Sequence, residues 1–536
     1  MATQAAPAKR VAIIGAGASG LAAIKSCLDE GLIPTCFEKA DDIGGLWYFR
    51  EGKEEREDQA CVYDSTVINT SKEVMCYSDF PIPAEFPNFM HNRLVLKYYQ
   101  LFTDHFKLRQ YISFGTRVDS VVFADDYEQM GRWKVTHSSR TSDKPKTEVF
   151  DAILVCTGHH CTPYIPEIEG LKDFQGKVLH THDYISPHGY EKKRIMIVGV
   201  GNSGCDAAVE LGRVASKLFL STRRGTWIIH RLGDRGMPVD IFAIRRIFDM
   251  MPDFFKEYNF RRALEQRCDH KFLGIKPDHS PMAQHPTVND FLPNCIMNGS
   301  VIVKPDVKHF TKTGVVFQDG TTEELDAVIL GTGYIFRFPF LEDSVIKVER
   351  NKLPLYKYVF PPNLKHASMA FLGYIQPLGA INPISEMQAR WAARVFKGLV
   401  SLPRREKMLE DMRQKSEAMS NRYIKSQRHT IQVDFVKYMD DVAVEFGVRP
   451  NFVKMMLYDP LLALRCVFGP YTPYQYRLVG PGQWSGARGA IMTVWDRINK
   501  PLQTRHVKAS EGEGGSPLVW ILALLCLLVA VYWVWS

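Results

Sequence analysis

The chain predicts an α/β fold of two dinucleotide-binding (Rossmann-like) domains, the second inserted in the first, with a C-terminal transmembrane helix. Three stretches carry that expectation. A strand–glycine–helix–strand unit runs from Val11 to Glu38, the same pattern returns from Arg194 to Gly225, and an uncharged apolar segment spans Leu518 to Trp535.

Val11-Ala-Ile-Ile14 is an apolar run suited to a buried parallel strand. Gly15, Gly17 and Gly20 follow at the spacing that gives a tight turn, room for a pyrophosphate and close helix–strand packing, with Ser19 between them. A second apolar run ends in Glu38, 23 residues after Gly15, where a carboxylate meets a ribose 2′-hydroxyl. Asp42 to Trp47 contains Gly44 and Gly45 followed by Leu46 and Trp47, a composition suited either to close approach of a flat or phosphorylated ligand or to a simple turn. Leu94 to Phe102 reads as helix, and Tyr111 to Val122 as strand. The run Val149 to Cys156 ends at Thr157-Gly158 and closes the first nucleotide-binding half. His159 and His160 are adjacent, so on a strand or loop they point apart and do not form a metal pair.

In the second unit, Arg194 to Val198 leads into Gly199, Gly201, Asn202, Ser203 and Gly204, then a helix and the strand Lys217 to Leu220. Where the first unit has Glu38, this one has Ser221-Thr222-Arg223-Arg224-Gly225. Hydroxyls and guanidinium groups receive a 2′-phosphate that a carboxylate would repel. The first unit therefore suits FAD and the second NADP(H). Leu325 to Leu330, then Gly331-Thr-Gly333-Tyr334, repeats the shape of residues 149–158 and returns the chain to the first domain. The expected spans are 8–191 and 331–445 for the FAD domain, 192–330 for the NADP domain and 446–512 for a membrane-proximal region. Arg245 to Phe272 reads as helical, either covering the site, touching lipid or packing domains together. Gly379 to Arg390 is expected to bring a helix back to the flavin, and Tyr474 to Trp484 to form an aromatic loop.

The formal charge of +8 over 536 residues is modest, and its basic residues are scattered without an aromatic-interleaved stripe, which speaks against nucleic acid as a partner. Eleven cysteines show no C-x-x-C, which argues against disulfides, structural zinc and the paired thiols of a disulfide reductase. Lys9 and Arg10 before an apolar run imitate a signal peptide, but the glycines have their explanation in the turn. Residues 518–535 would span about 27 Å as a helix, with Trp520, Tyr532, Trp533 and Trp535 near its ends. An anchor there leaves the preceding domains in the cytosol. The glycosylation triplets at Asn69 and Asn298 are then chance matches.

The run Phe174-Gln-Gly176-Lys-Val-Leu-His180-Thr-His-Asp-Tyr184 resembles the signature F-x-G-x-x-x-H-x-x-x-(Y/F) of the vertebrate microsomal flavin-containing monooxygenases. Asn69 to Met75 is similar to that family's flavin-site segment, and Gly331 to Tyr334 to its A-T-G-Y element, with Gly331 for alanine. Val74, Thr181 and His182 stand where methionine, serine and arginine are usual. Arg223 to Gly225, Gln284-His285-Pro286 and Ser426 to His429 resemble form five, which is associated with Baeyer–Villiger oxidation of ketones. The resemblance implies hydride transfer from NADPH to FAD, formation of a C4a-(hydro)peroxide with molecular oxygen, and oxygenation of small lipophilic ketones, amines or thioethers. It implies Asn69 as the polar catalytic group beside flavin and nicotinamide, and Gly333 near the cofactor. It also implies attachment to the endoplasmic reticulum membrane, with membrane lipid as a partner and association into a homo-oligomer left open. The competing readings are an NADPH oxidase that releases hydrogen peroxide and a flavin electron-transfer or binding protein.

Overall fold

A computed structural model describes residues 7–52, 56, 58–142, 144–424 and 430–505. Two five-stranded parallel sheets organise it. In the first, the strand order is Met369–Phe371, Ala152–Val155, Arg10–Ile14, Ile33–Phe37 and Ile112–Ser113. Val11, Ala12 and Ile13 are fully buried at its centre, as expected of a parallel strand covered on both faces. The helix Ala18–Asp29 presents Leu21, Ala22, Ala23 and Ile24, all essentially without exposure, to the sheet and to the helix Ile381–Lys397. Their small side chains allow that close double packing.

The second sheet repeats the plan in the order Ile302–Lys304, Lys217–Ser221, Arg194–Val198, Ala327–Leu330 and Lys177–His180. Its outer strand Lys177–His180 draws on residues ahead of position 192. Each sheet carries a three-stranded antiparallel excursion before its crossing strand. Thr116–Phe123, Trp133–Ser139 and Lys146–Phe150 form the first, and Val307–Phe310, Gly314–Phe317 and Thr322–Glu324 the second. The chain leaves the first sheet past Gly158 and returns past Gly333, both at positive φ (70° and 85°). The outgoing and returning segments pair as a short antiparallel ribbon, Thr162–Pro163 against Tyr334–Ile335.

The stretch Tyr474 to Trp484 is not a peripheral loop. Tyr471, Tyr474 and Tyr476 are wholly buried, and Arg477 Nη2 lies 2.6 Å from Glu386 and 2.8 Å from Asp79. Glu386 accepts in turn from Ser78 N at 2.6 Å. The helix Asp253–Arg267 fulfils the helical expectation for that region and leaves Phe254 exposed.

The expected spanning segment, 518–535, and the motif Ser426 to His429 lie outside the described residues. Among the described residues no helix is long and apolar enough to cross a membrane. The fold class is corrected accordingly to an α/β protein with two dinucleotide-binding units and, among the described residues, no transmembrane helix. The membrane anchor, the endoplasmic-reticulum location and lipid as a partner lose their structural basis. An apolar run of 18 residues meets a length requirement for crossing a bilayer but does not by itself establish a helix.

Candidate functional site

The first glycine turn is built as its spacing predicts. Gly15 has φ of 101° and donates to Phe37 O at 2.8 Å, and a Cβ on Gly20 would lie 1.8 Å from Gly15 O. Gly17 faces Gly45, where a Cβ would come within 3.1 Å of Gly17 Cα, and Gly44 N donates to Ala16 O at 3.1 Å. Gly45, Leu46 and Trp47 form one 3-10 turn, so its first residue sits directly on the glycine loop. Glu38 is buried at the end of its strand. Its two oxygens accept from Ala16 N at 2.6 Å and Ala40 N at 2.8 Å, each with lone-pair capacity left for a ribose hydroxyl. Ser19 is directed instead to Ser385, Oγ to Oγ at 3.0 Å, beside Gly373.

The second turn has the same construction. Gly199 has φ of 106° and donates to Ser221 O at 3.0 Å, and a Cβ on Gly204 would meet Gly199 O at 2.2 Å. A Cβ on Gly201 would meet nothing within 4 Å, which leaves open space over the loop. Asn202 Oδ1 accepts from Val288 N at 2.8 Å, and Ser203 lies half-buried in the first helical turn. Thr222 Oγ1 accepts from Gly225 N at 2.9 Å, so its hydroxyl shapes the turn that displays Arg223 and Arg224. Both arginines are exposed, and Arg223 Nε is 4.0 Å from Asp306, a weak tie that leaves its donors available. The two cradles fit FAD and NADP(H) respectively.

Asn69 is held across the domain boundary. Its Oδ1 accepts from Arg231 Nη2 at 2.7 Å, while Arg231 Nη1 is 2.7 Å from Asp290 and Arg231 Nε reaches Ile68 O at 3.3 Å. Two residues on, Ser71 N donates to Asp240 Oδ2 at 2.6 Å. Burial pushes the Asp240 carboxyl up to about 6, against hydrogen bonds from Ser71 and local amides that favour its charge. Farther along this segment, Tyr77 OH donates to Ala18 O at 2.7 Å and ties it to the first turn's helix.

The segment 285–290 joins these parts. His285 Nδ1 lies 3.4 Å from Gln432 Oε1, Thr287 Oγ1 donates to Val200 O at 2.6 Å, and Asn289 Nδ2 donates to Asp206 at 2.7 Å. Burial lowers His285 to about 4 and His160 to about 4, and His159 falls well below the usual imidazole range by burial and the neighbouring His160. These rings are neutral at pH 7. His159 meets Phe336 edge-on and Tyr374 at a tilt, His160 meets Tyr334 at a tilt, and Gly333 O accepts from Tyr164 N in the crossing ribbon. His182 differs from them: Nδ1 meets Asp183 and Nε2 meets Gln59 O, each at 2.7 Å. Two acceptors require both ring nitrogens to carry protons.

Sequence reasoning singled out the glycines, Glu38, Arg223 and Asn69 and gave no sign of Arg231, Asp290 and Asp240, which the structure sets around Asn69 and its segment. Arg231 is 162 residues from Asn69, and no local spacing signals the pair.

A family model described as "FMO-like: Flavin-binding monooxygenase-like" matches residues 8–536. Flavin-containing monooxygenase 5 of Oryctolagus cuniculus is 50% identical over 532 residues, covering 98% of this chain and 99% of that protein. Among solved structures, an S-allyl-L-cysteine S-oxygenase from Allium sativum superposes with a TM-score of 0.64 at 23% identity, covering 92% of this chain and 99% of that one. An oxidized steroid monooxygenase bound to NADP gives 0.58 at 19%, covering 82% and 97%. The two glycine cradles, their differing second-strand ends and the full-length match together place this chain in the flavin-binding monooxygenase-like family.

Proposed function

We propose that the surroundings of Asn69, where the first glycine-turn unit meets the second, are where this flavin- and NADPH-dependent monooxygenase transfers one oxygen atom to its substrate. The protein binds FAD and NADPH and uses molecular oxygen with small organic substrates, as its family membership entails. The observation that carries the location is the meeting of Asn69, from the flavin side, with Arg231 and Asp290, from the coenzyme side.

FAD, when bound, supplies the two-electron exchange with NADPH and the activation of oxygen. The chain supplies position and polarity. Gly17 and Gly201 leave room for pyrophosphates, Glu38 takes a ribose hydroxyl, and Arg223 and Arg224, with Thr222 shaping the turn, select the 2′-phosphate. Asn69 Nδ2 donates a hydrogen bond where negative charge develops, beside the Arg231 guanidinium that holds its Oδ1. The balance is one substrate, one oxygen molecule, NADPH and a proton giving oxygenated product, water and NADP⁺.

The preferred substrates are small lipophilic ketones, converted to esters, ahead of amines and thioethers. That order rests on the resemblance to form five. Product analysis with an aliphatic ketone and a thioether, alongside NADPH consumed, tests it. An ester supports the ketone reading, sulfoxide alone reverses the order, and hydrogen peroxide alone replaces oxygenation with NADPH oxidase activity.

A further inference from the structure

We propose that Arg231 is a positioning residue for oxygenation: anchored by Asp290, it turns the Asn69 amide so that its NH2 group faces the site. This rests on the assignment of Asn69 as the polar group of that site.

A side-chain amide has two faces of opposite character, and nothing in asparagine itself chooses between them. A guanidinium does choose, because it has donors only. With Arg231 Nη2 at 2.7 Å, the atom facing it must be Oδ1, since a flipped amide would set N–H against N–H. The NH2 group then points away from the arginine, and among the described residues it has no protein partner.

Arg231 is itself fixed. Its backbone N donates to Asp290 Oδ1 at 2.7 Å and its Nη1 to Asp290 Oδ2 at 2.7 Å. Nε and Nη2 reach the carbonyls of Ile68 and Val67, each at 3.3 Å. Only 11% of the side chain is exposed. One guanidinium thus binds three consecutive residues of the Asn69 segment while a carboxylate holds it from behind. Ser71, clamped by Asp240, blocks the segment from swinging about that contact. Because four of Arg231's five N–H groups are engaged with protein and the side chain is largely buried, it acts on the reaction through Asn69 and not by touching substrate.

The test uses full-length holoenzyme with NADPH and a thioether. Arg231→Met, Asn69→Ala, Asn69→Asp and the double variant Arg231→Met/Asn69→Ala are compared for product formed per NADPH consumed. FAD content and the change in the oxidised flavin's visible spectrum on adding NADP⁺ are recorded as readouts independent of turnover. Arg231→Met should keep FAD and its NADP⁺ titration within about threefold, yet lose coupling roughly tenfold or more, the scale of one charge-assisted hydrogen bond. Asn69→Asp keeps a partner for Arg231 but has no donor, so it should uncouple like Asn69→Ala. The double variant should be no worse than Asn69→Ala alone.

Wild-type coupling in Arg231→Met overturns the proposal, as do losses that multiply in the double variant. If Arg231→Met does not retain FAD, Asp290→Asn decides: it keeps the cation but loosens it, and unchanged coupling there counts against positioning. Should Asn69→Ala itself remain coupled, the assignment of Asn69 fails, a result distinct from failure of Arg231 alone.

Discussion

One carboxylate oxygen of Glu38 lies 2.6 Å from the amide nitrogen of Ala16, so the acid that ends the second strand is fixed by the loop that follows the first. The same loop separates glycines needed by the protein from one needed by its ligand. A Cβ on Gly17 would come no nearer than 3.5 Å to any protein atom beyond its neighbours, whereas one on Gly20 would strike Gly15 O. Gly17→Ala should therefore fold, melt like wild type stripped of its flavin, and purify without the yellow of bound flavin. Gly20→Ala should lose about 3 kcal/mol or more of stability. A yellow Gly17→Ala protein with full flavin absorbance removes FAD from this loop.

Arg223 should govern the choice of coenzyme and little else. Its side chain is 70% exposed and its nearest carboxylate 4.0 Å away, so Arg223→Ala should change stability by less than about 0.5 kcal/mol. The KM for NADPH should rise tenfold or more and that for NADH stay nearly constant. Equal losses for both would move the 2′-phosphate to Arg224 or Thr222.

His182 makes stability depend on alkaline pH. Burial opposes its charge, but hydrogen bonds with Cys61, the Gln59 carbonyl and Asp183 prevail and raise it to about 9. A folded value above the unfolded one of about 6.5 means the stabilisation is complete below pH 6 and vanishes as pH rises through 9. Its size is on the order of 1 kcal/mol after solvent screening. Thermal melts of wild type and His182→Arg between pH 6 and 10 should diverge at the alkaline end, the arginine variant keeping its charge. Parallel profiles would show that His182 is neutral.

Gly331 takes the place of the alanine in the A-T-G-Y element that this segment resembles, and the packing there is tight. A Cβ would lie 3.1 Å from Gly204 Cα and 3.4 Å from Gly199 O, both in the second glycine turn. Gly331→Ala should leave stability within about 1 kcal/mol, because the stiffer unfolded chain offsets the crowding. It should weaken NADPH binding severalfold by shifting that turn. Titration of the holoenzyme with NADP⁺ checks this, and an unchanged affinity would show that the turn absorbs the methyl.

What could be read from the sequence was what is local. Gly15, Gly20 and Glu38 occur at spacings that the strand–turn–helix geometry dictates, and Thr222 to Arg224 differ from Glu38 in charge at the equivalent place. Asn69 was singled out only through resemblance to a family segment. Contacts between distant stretches left no such mark. Tyr474 lies among glycines and prolines that read as a loop, yet its hydroxyl bonds Glu73, 401 residues earlier, and its ring is wholly buried. The strand Lys177–His180 joins the second sheet by pairing with Ala327–Leu330, a partner that no periodicity announces. Hydrophobicity at 518–535 supported only an argument from length, and that run lies outside the described residues.

The buried link between Arg477 and Ser78 sets an order of assembly. Arg477 Nε reaches Ser78 Oγ at 2.6 Å across 399 residues, and its cation also neutralises Asp79 and Glu386. Until that arginine arrives, two carboxylates destined for the interior have lost a principal counter-charge and hold their surroundings open to water. At roughly 5–20 residues per second of synthesis, the wait is about 20–80 s for Asp79 and about a quarter of that for Glu386. The core that packs on the first sheet is thus begun early in the chain and completed by residues beyond 470, so a chain stopped short of Arg477 should leave Asp79 and Glu386 without that cation.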